Sequence, residues 1–566
     1  MTLVGSLIIY LAVASVLHFV FRQLYSVFHI PPSLQHLPRL SPLTILLSLF
    51  RRGPLSFSRI YLSTRSSLVN SSGLYLFWIG GWRLTVADVE IARQIYANVD
   101  MFPKVKLTAE VPGTLLSKIF ADSMIFSNGD NWKRQRKAFN PAFVKKFETT
   151  TFGMLARQLF ERIDHDSTTG DINSNSNDSN DSNDSGSSND SGGERKALDA
   201  TVLMQRTILD ILGEAVFGFR FNAVREPTNP WIRAYKAIFK DALSQLYYVF
   251  PMLDKRWNPY RRNIFESFDE FEALIDRAIA ERKATAAAAT ATPIPTPRPT
   301  GGVSAAKDEA KVVRDDLLQR LINASSDPDN PSLQPHEFHG NLLMLFLGGH
   351  DTTASAIACA LYYLSVNPHL QNRLYNDISA TLGPLDPATF STYEDAIPTN
   401  AQLASIPLLT AFVRETLRMV PLVSLLPYRA PTTDVLLTES RLTIPQGTYI
   451  TVFIYGIQHS AKYWCNPETF DPDRHIEGTA SFAADEAVRA ETGTKDPLVW
   501  QAFGAGPRSC IGQHFAMLVQ KLVLAMLLRR YRVKLQPGSL HDDGIFINVT
   551  ALTTVAPVPI IFEPRV

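Results

Sequence analysis

Residues 503 to 512 read Phe-Gly-Ala-Gly-Pro-Arg-Ser-Cys-Ile-Gly, a short run that holds one cysteine between glycines. A loop of this kind can present a single thiolate to a metal from one side, which is the ligation that haem iron takes from cysteine. Gly504 and Gly506 let the backbone turn where a Cβ would clash, and Gly512 lets the following helix approach a flat macrocycle. Cys510 is expected to open a helix from Ile511 to about Leu528, whose positive N-terminus would lower the thiol pKa. Two other readings compete. A dinucleotide-binding loop starting at Gly504 fails because its third glycine would fall on Ser509 and no strand-helix-strand pattern surrounds it. A buried structural thiol, the usual fate of a lone intracellular cysteine, stays open on these residues alone.

Other side chains could serve the same chemistry. Trp132 and Arg136 share one face of a helix expected to start near Ser127, and an indole N–H beside a guanidinium suits a buried carboxylate; a solvated basic face is the bland alternative. Gly348-Gly349-His350-Asp351-Thr352-Thr353 lies within a long helix expected from Pro335 to about Val366. Two glycines thin that helix, and Asp351 and Thr352 supply a carboxylate and a hydroxyl for moving protons. The same residues also fit a helix packing notch with a threonine bonded to its own backbone. Glu415-Thr416-Leu417-Arg418 carries a Glu-x-x-Arg spacing that recurs at Glu90/Arg93 and Glu486/Arg489, so spacing does not choose among them.

Taken together, Phe503, Gly504, Gly506, Arg508, Cys510 and Gly512, the motif from Gly348 to Thr353, and Glu415 with Arg418 resemble the cytochrome P-450 family over about residue 54 to the C-terminus. The resemblance implies a mainly α fold with a small β-rich lobe, preceded by one N-terminal transmembrane helix. It implies haem b with Cys510 as axial thiolate and metal ligand, Phe503 against the cofactor, and Trp132, Arg136, Arg429 and Arg508 on its propionates. Asp351 and Thr352 become the proton relay to dioxygen. Glu415, Arg418 and Arg474 become a buried ion triad bracing the haem loop, with His475 standing where the family usually has phenylalanine. The implied activity is insertion of one oxygen atom from O2 into a lipophilic substrate, in lipid oxidation or specialised metabolism. A haem-thiolate isomerase or synthase that does not use O2, and a non-catalytic haem sensor, are the competing classes; Thr352 argues against the first and a proton relay against the second. The chain has no flavin or nicotinamide site, so electrons are expected from another protein; the resemblance implies NADPH-cytochrome P-450 reductase, with cytochrome b5 as a second candidate, docking near Lys133 and Lys137.

Several further elements must position these residues. Residues 2 to 21 form an apolar run of about the ~20 residues that cross a bilayer core, and residues 1 to 30 are read as a membrane anchor. Arg22, Arg39, Arg51, Arg52 and Arg59 follow with no acidic residue before Asp88, which is expected to place the catalytic domain on the cytosolic side of a single-pass anchor; the resemblance to microsomal members of the family implies that the membrane is that of the endoplasmic reticulum. Residues 31 to 53 form a proline-rich connector, extended at Pro31, Pro32 and Pro38. Within it, Leu43 to Phe50 reads equally as a membrane-surface segment or a core helix. The catalytic domain then spans 54 to 566, with disordered inserts at 170 to 193, a Ser/Asn/Asp/Gly tract, and at 284 to 302, an Ala/Thr/Pro tract. Aromatics between 198 and 283, among them Phe217, Phe221, Trp231 and Tyr235, are expected mainly in the core. A net charge of +1 and the lack of a basic patch interleaved with aromatics argue against a nucleic-acid partner. Three widely spaced cysteines fit a reducing compartment.

Overall fold

The computed structural model describes most of residues 73 to 565, together with 25 to 42 and isolated positions before them; the longest stretches outside the description are 43–72, 170–194, 292–316 and 386–396. The apolar run at 2 to 21, the segment Leu43 to Phe50 and the insert at 170 to 193 lie wholly or mainly outside it.

Two strands, β1 (Leu74–Trp78) and β2 (Trp82–Val86), lead into helix α1 (Val89–Ala97), which Asp88 caps by accepting from the Glu90 and Ile91 amides. The chain continues through α2 (Gly129–Val144), α3 (Thr150–Thr169), the short strand β3 (Leu198–Asp199), α4 (Ala200–Leu212), α5 (Pro230–Ala242) and α6 (Pro259–Ala291). Then come α7 (Pro335–Ser365), α8 (Pro368–Leu382), α9 (Pro407–Met419), β4 (Ile450–Val452), α10 (Ala480–Glu491), α11 (Gln513–Arg530), β5 (Tyr531–Leu535) and β6 (Pro559–Pro564). Helices dominate, and the strands form small sheets. One has the order β1-β2-β4, with β1 antiparallel to β2 and β4 parallel to β2; another places β6 between β3 and β5.

Helix α7 is the axis of the fold. It starts on Pro335, where a missing N–H costs nothing, and Glu337 accepts from the Gln334 amide at 2.9 Å. Leu342 to Leu347 and Ala354 to Leu364 are buried on all sides, so this helix lies inside the protein. It is also, among the described residues, the helix long and apolar enough to cross a membrane, but its apolar window is 83% buried within the protein and it is a core helix. Phe346 at its centre collects the aromatic residues of the preceding helices: Phe217, Phe221, Trp231, Tyr235 and Phe271 all lie with ring centroids 4.8 to 6.2 Å away. The expected aromatic core between 198 and 283 is thus present at these positions.

Two expectations change. The proline-rich connector does not run extended: Pro32–Leu34 makes a 3-10 turn, Leu34, Leu37 and Leu40 are buried, and Leu40 and Pro38 exchange hydrogen bonds with Leu76 of β1 at 3.1 and 2.8 Å. Three leucines at that spacing gain more from burial than prolines gain from staying extended. Trp78 and Trp82 donate to Ser26 and to the Val27 carbonyl, at 3.1 and 3.2 Å, so the segment ahead of the connector is tied to the same sheet. The insert expected to be disordered over 284 to 302 is helical at its start, because α6 continues to Ala291. Alanine is the strongest helix former and extends a helix already nucleated.

Candidate active site around Cys510

The cysteine loop is hung from helices on both sides. Gly504 and Gly506 adopt φ of 68° and 67°, the left-handed region that only glycine enters without strain, and a Cβ on Gly506 would lie 3.3 Å from the Tyr96 carbonyl oxygen of α1. The Gly504 amide donates to the Gln501 carbonyl at 2.8 Å, and the Cys510 amide donates to the Phe503 carbonyl at 2.9 Å, closing the loop. Tyr96 donates to the Gln501 side chain at 2.5 Å, and Trp500 donates to the Arg414 carbonyl of α9 at 3.0 Å. Phe503 is half-buried, with its ring 6.0 Å from that of Trp500.

Cys510 has accessible surface and yet is enclosed by protein at longer range, as a side chain facing an internal cleft is. Helix α11 begins at Gln513, two residues later than expected, with Gly512 as its N-cap. The expected lowering of the thiol pKa is not what results. Burial pushes it up, and the Gly512 amide and the Arg136 charge offset only part of that. Metal ligation would remove the proton outright.

Around this loop, cations converge without acids among the described residues. Arg136 Nη1 donates to the Ser509 carbonyl at 3.0 Å, which locks α2 onto the loop. Arg508 lies over the Trp132 ring, 4.4 Å from its centroid, and donates to the Ser127 carbonyl at 2.5 Å. Arg429 is buried and donates to the Phe102 carbonyl at 2.7 Å. Lys104 pairs with Arg429 in a β-bridge, and Asn128 clamps its main chain from both sides at 2.8 and 2.9 Å. Burial and the charges of Arg429 and Arg136 push the Arg508 guanidinium down to about 9, and burial with the charges of Arg508, Arg429 and Arg136 pushes the Lys104 ammonium well down. Arg508 Nη1 is buried and makes no hydrogen bond among the described residues. Four cations that destabilise one another, one with an idle buried N–H, are a site built for anions. Haem fits it: carboxylates would satisfy the cations, and one of them, Arg136, lies close enough to Cys510 for its charge to act on the thiol. The structure brings Trp132, Arg136, Arg429 and Arg508 to one place and adds Lys104, which nothing in its local sequence marks.

The motif on α7 resolves into two halves. A Cβ on Gly349 would sit 3.3 Å from Leu212 Cδ1, so this glycine admits α4, whereas a Cβ on Gly348 would meet only Met344 Sδ at 4.0 Å. One glycine is a packing notch and the other leaves space. Thr352 Oγ1 donates to the Gly348 carbonyl at 2.6 Å, the local bond weighed as the alternative to a relay. Asp351 is buried and accepts from Gln205 Nε2 of α4 at 2.9 Å. The hydroxyl of Thr352 and the carboxylate of Asp351 thus have different partners, although the residues are adjacent.

The buried ion network forms and is larger than expected. Glu415 receives Arg418 in two bonds of 2.8 and 2.9 Å, Arg474 at 3.1 Å and the Asp471 amide at 2.9 Å. His475 Nε2 lies 3.0 Å from Glu415 Oε2, and Asp485 of α10 takes Arg474 at 2.9 Å. Burial alone would raise the Glu415 carboxyl, but Arg418 and His475 hold it at about 2. Burial keeps the His475 imidazole below its ordinary value despite Glu415. Lys133 and Lys137 are exposed, whereas Arg134 beside them is taken up by Glu337 of α7 in bonds of 2.7 and 2.8 Å.

Residues 75–548 match the family model described as cytochrome P-450. Among curated relatives, the chain is 28% identical to cytochrome P-450 4F1 of Rattus norvegicus, covering 85% of this chain and 83% of that protein. It is 28% identical, with the same coverage, to leukotriene-B4 omega-hydroxylase 3 of Mus musculus. It is 24% identical to the probable cytochrome P-450 4d20 of Drosophila melanogaster, over 81% of this chain and 80% of that one.

Proposed function

The chain belongs to the cytochrome P-450 family of haem-thiolate monooxygenases, and on that premise we propose that it hydroxylates a lipophilic substrate of the fatty-acyl class. The overall balance is R–H + O2 + NADPH + H⁺ → R–OH + H2O + NADP⁺. The observation that carries the site is the cluster Lys104, Arg136, Arg429 and Arg508, unpaired with any carboxylate among the described residues, beside Cys510. One relative's name, leukotriene-B4 omega-hydroxylase, supports the substrate class.

When bound, haem supplies the reduction of dioxygen and the transfer of one of its oxygen atoms. Cys510 would hold the iron from one face, Phe503 lie against the macrocycle, and Trp132, Arg136, Arg429 and Arg508 take the propionates. Asp351 passes protons inward, and Thr352 turns its hydroxyl from the Gly348 carbonyl toward the cleft to hand them on. Gly348 keeps the wall open where they arrive. Exposed Lys133 and Lys137 form a docking face for an acidic donor, NADPH-cytochrome P-450 reductase, with cytochrome b5 as a second. The apolar run at 2 to 21 and the arginines after it support a single-pass anchor in the endoplasmic reticulum, with the catalytic domain in the cytosol.

The reading is tested by turnover of a series of saturated and unsaturated fatty acids that requires NADPH, reductase and O2 together. Binding of the series is followed by shifts of the haem Soret band. Turnover without O2 or reductase points to an isomerase, and no turnover or binding by any member ends the fatty-acyl reading.

A further inference from the structure

Gln205 on α4 reaches α7 twice. Its side-chain Nε2 donates to Asp351 Oδ1 at 2.9 Å, and its main-chain carbonyl lies 2.6 Å from His350 Nε2, which makes that nitrogen the N–H donor. Two successive residues of the Gly-Gly-His-Asp-Thr-Thr motif are thereby fixed to a single residue of another helix. The approach is possible because Leu212 of α4 packs into the notch at Gly349. Thr352, by contrast, spends its hydroxyl on the Gly348 carbonyl and does not hold its neighbour. The titratable groups beside Asp351 are His350 on its own helix and Tyr235 on α5, whose rings meet edge to face at 4.4 Å. Burial lowers the first and raises the second, so both stand neutral near neutral pH. What orients the carboxylate is an amide from α4.

We propose that Gln205 is the positioning residue for Asp351, holding Oδ1 so that the other carboxylate oxygen exchanges protons with Thr352. An amide is well suited to hold it, since a hydrogen bond from an amide fixes a rotamer without neutralising the acid, as a lysine or arginine there would. The inference rests on the relay reading of Asp351 and Thr352.

The test uses the haem-loaded full chain with reductase and NADPH and no added substrate, where electrons leave as peroxide (O2 + 2e⁻ + 2H⁺ → H2O2) or as water (O2 + 4e⁻ + 4H⁺ → 2H2O). The readout is the fraction recovered as peroxide across about pH 6 to 8, a range wide enough to show a coupled carboxyl pair titrating. Gln205→Leu should raise the peroxide fraction severalfold at every pH. Gln205→Glu places a second carboxyl against Asp351, and the two must share a proton, so a new pH step should appear that wild type lacks. Asp351→Asn combined with Gln205→Leu should be no worse than Asp351→Asn alone. The ferrous–carbonyl band reports folding in each variant, and if Gln205→Leu loses it, Gln205→Glu decides. An effect of Gln205→Leu with no pH step in Gln205→Glu means packing only and overturns the proposal. Unchanged peroxide in both Gln205 variants, with Asp351→Asn raised, also overturns it and leaves the relay standing. Unchanged peroxide in Asp351→Asn and Thr352→Ala overturns the relay and the proposal with it.

Discussion

Removing the Glu415 carboxylate offers a sharp test of how the haem loop is braced. In Glu415→Ala the guanidinium groups of Arg418 and Arg474 stay buried but lose the acid between them, and the Asp471 amide loses its acceptor. Two routes give the magnitude. The carboxyl is held at about 2 against an ordinary 4.5, and at ~1.4 kcal/mol per pH unit the difference is about 3 kcal/mol. Breaking one partner of a buried pair costs ~3–5 kcal/mol. The sign of the pH dependence follows from the lowered value: this stabilisation is fully present above about pH 5 and drains away as pH falls toward 2. Urea unfolding near neutral pH, followed by the ferrous–carbonyl band, should show the midpoint of Glu415→Ala well below wild type. The control is Glu90→Ala, which removes an identical Glu-x-x-Arg pair whose side chains are 28% and 50% exposed, and it should cost only ~0–1 kcal/mol. Equal midpoints for the two variants would refute the bracing argument.

Further outcomes follow from individual contacts. Cys510→Ala should abolish the red-shifted ferrous–carbonyl band, and a retained band would reassign the axial ligand. Arg508→Met should speed haem transfer to apomyoglobin about ten- to a hundredfold, the worth of one charge-assisted hydrogen bond of ~1.5–3 kcal/mol. Gly348→Ala should stabilise the protein by ~0.5–1 kcal/mol through helix propensity while altering the Soret response to fatty acids, since its new methyl points to open space beside Met344. Gly349→Ala should lose that gain, because its Cβ meets Leu212 at 3.3 Å; thermal melts of the two variants make the comparison. His475→Phe should shift the midpoint far less than Glu415→Ala, because Arg418 and Arg474 still hold the carboxylate.

Much of this molecule could be read along the chain. The glycine-bent loop at Cys510, the long helix from Pro335 and the start of α2 depend on residues within a few positions of one another, and φ preference, capping and periodicity are local. The misreadings share a cause. Pro31 to Leu40 looked extended until Leu34, Leu37 and Leu40 found β1, and Ala284 to Ala291 looked like linker although the helix before it was already nucleated. The Cys510 thiol was expected to be lowered by its helix, and burial outweighed that effect.

By itself, then, the amino-acid order determined which residues could carry the chemistry: a lone thiolate, a thinned helix with an acid and a hydroxyl, and arginines suited to carboxylates. Only the tertiary structure added Asp485 and His475 to the buried Glu-x-x-Arg, brought Lys104 among the arginines and set Gln205 against Asp351. Spacing is local geometry, whereas burial and charge pairing belong to groups that packing brings together from positions as far apart as Gln205 and Asp351.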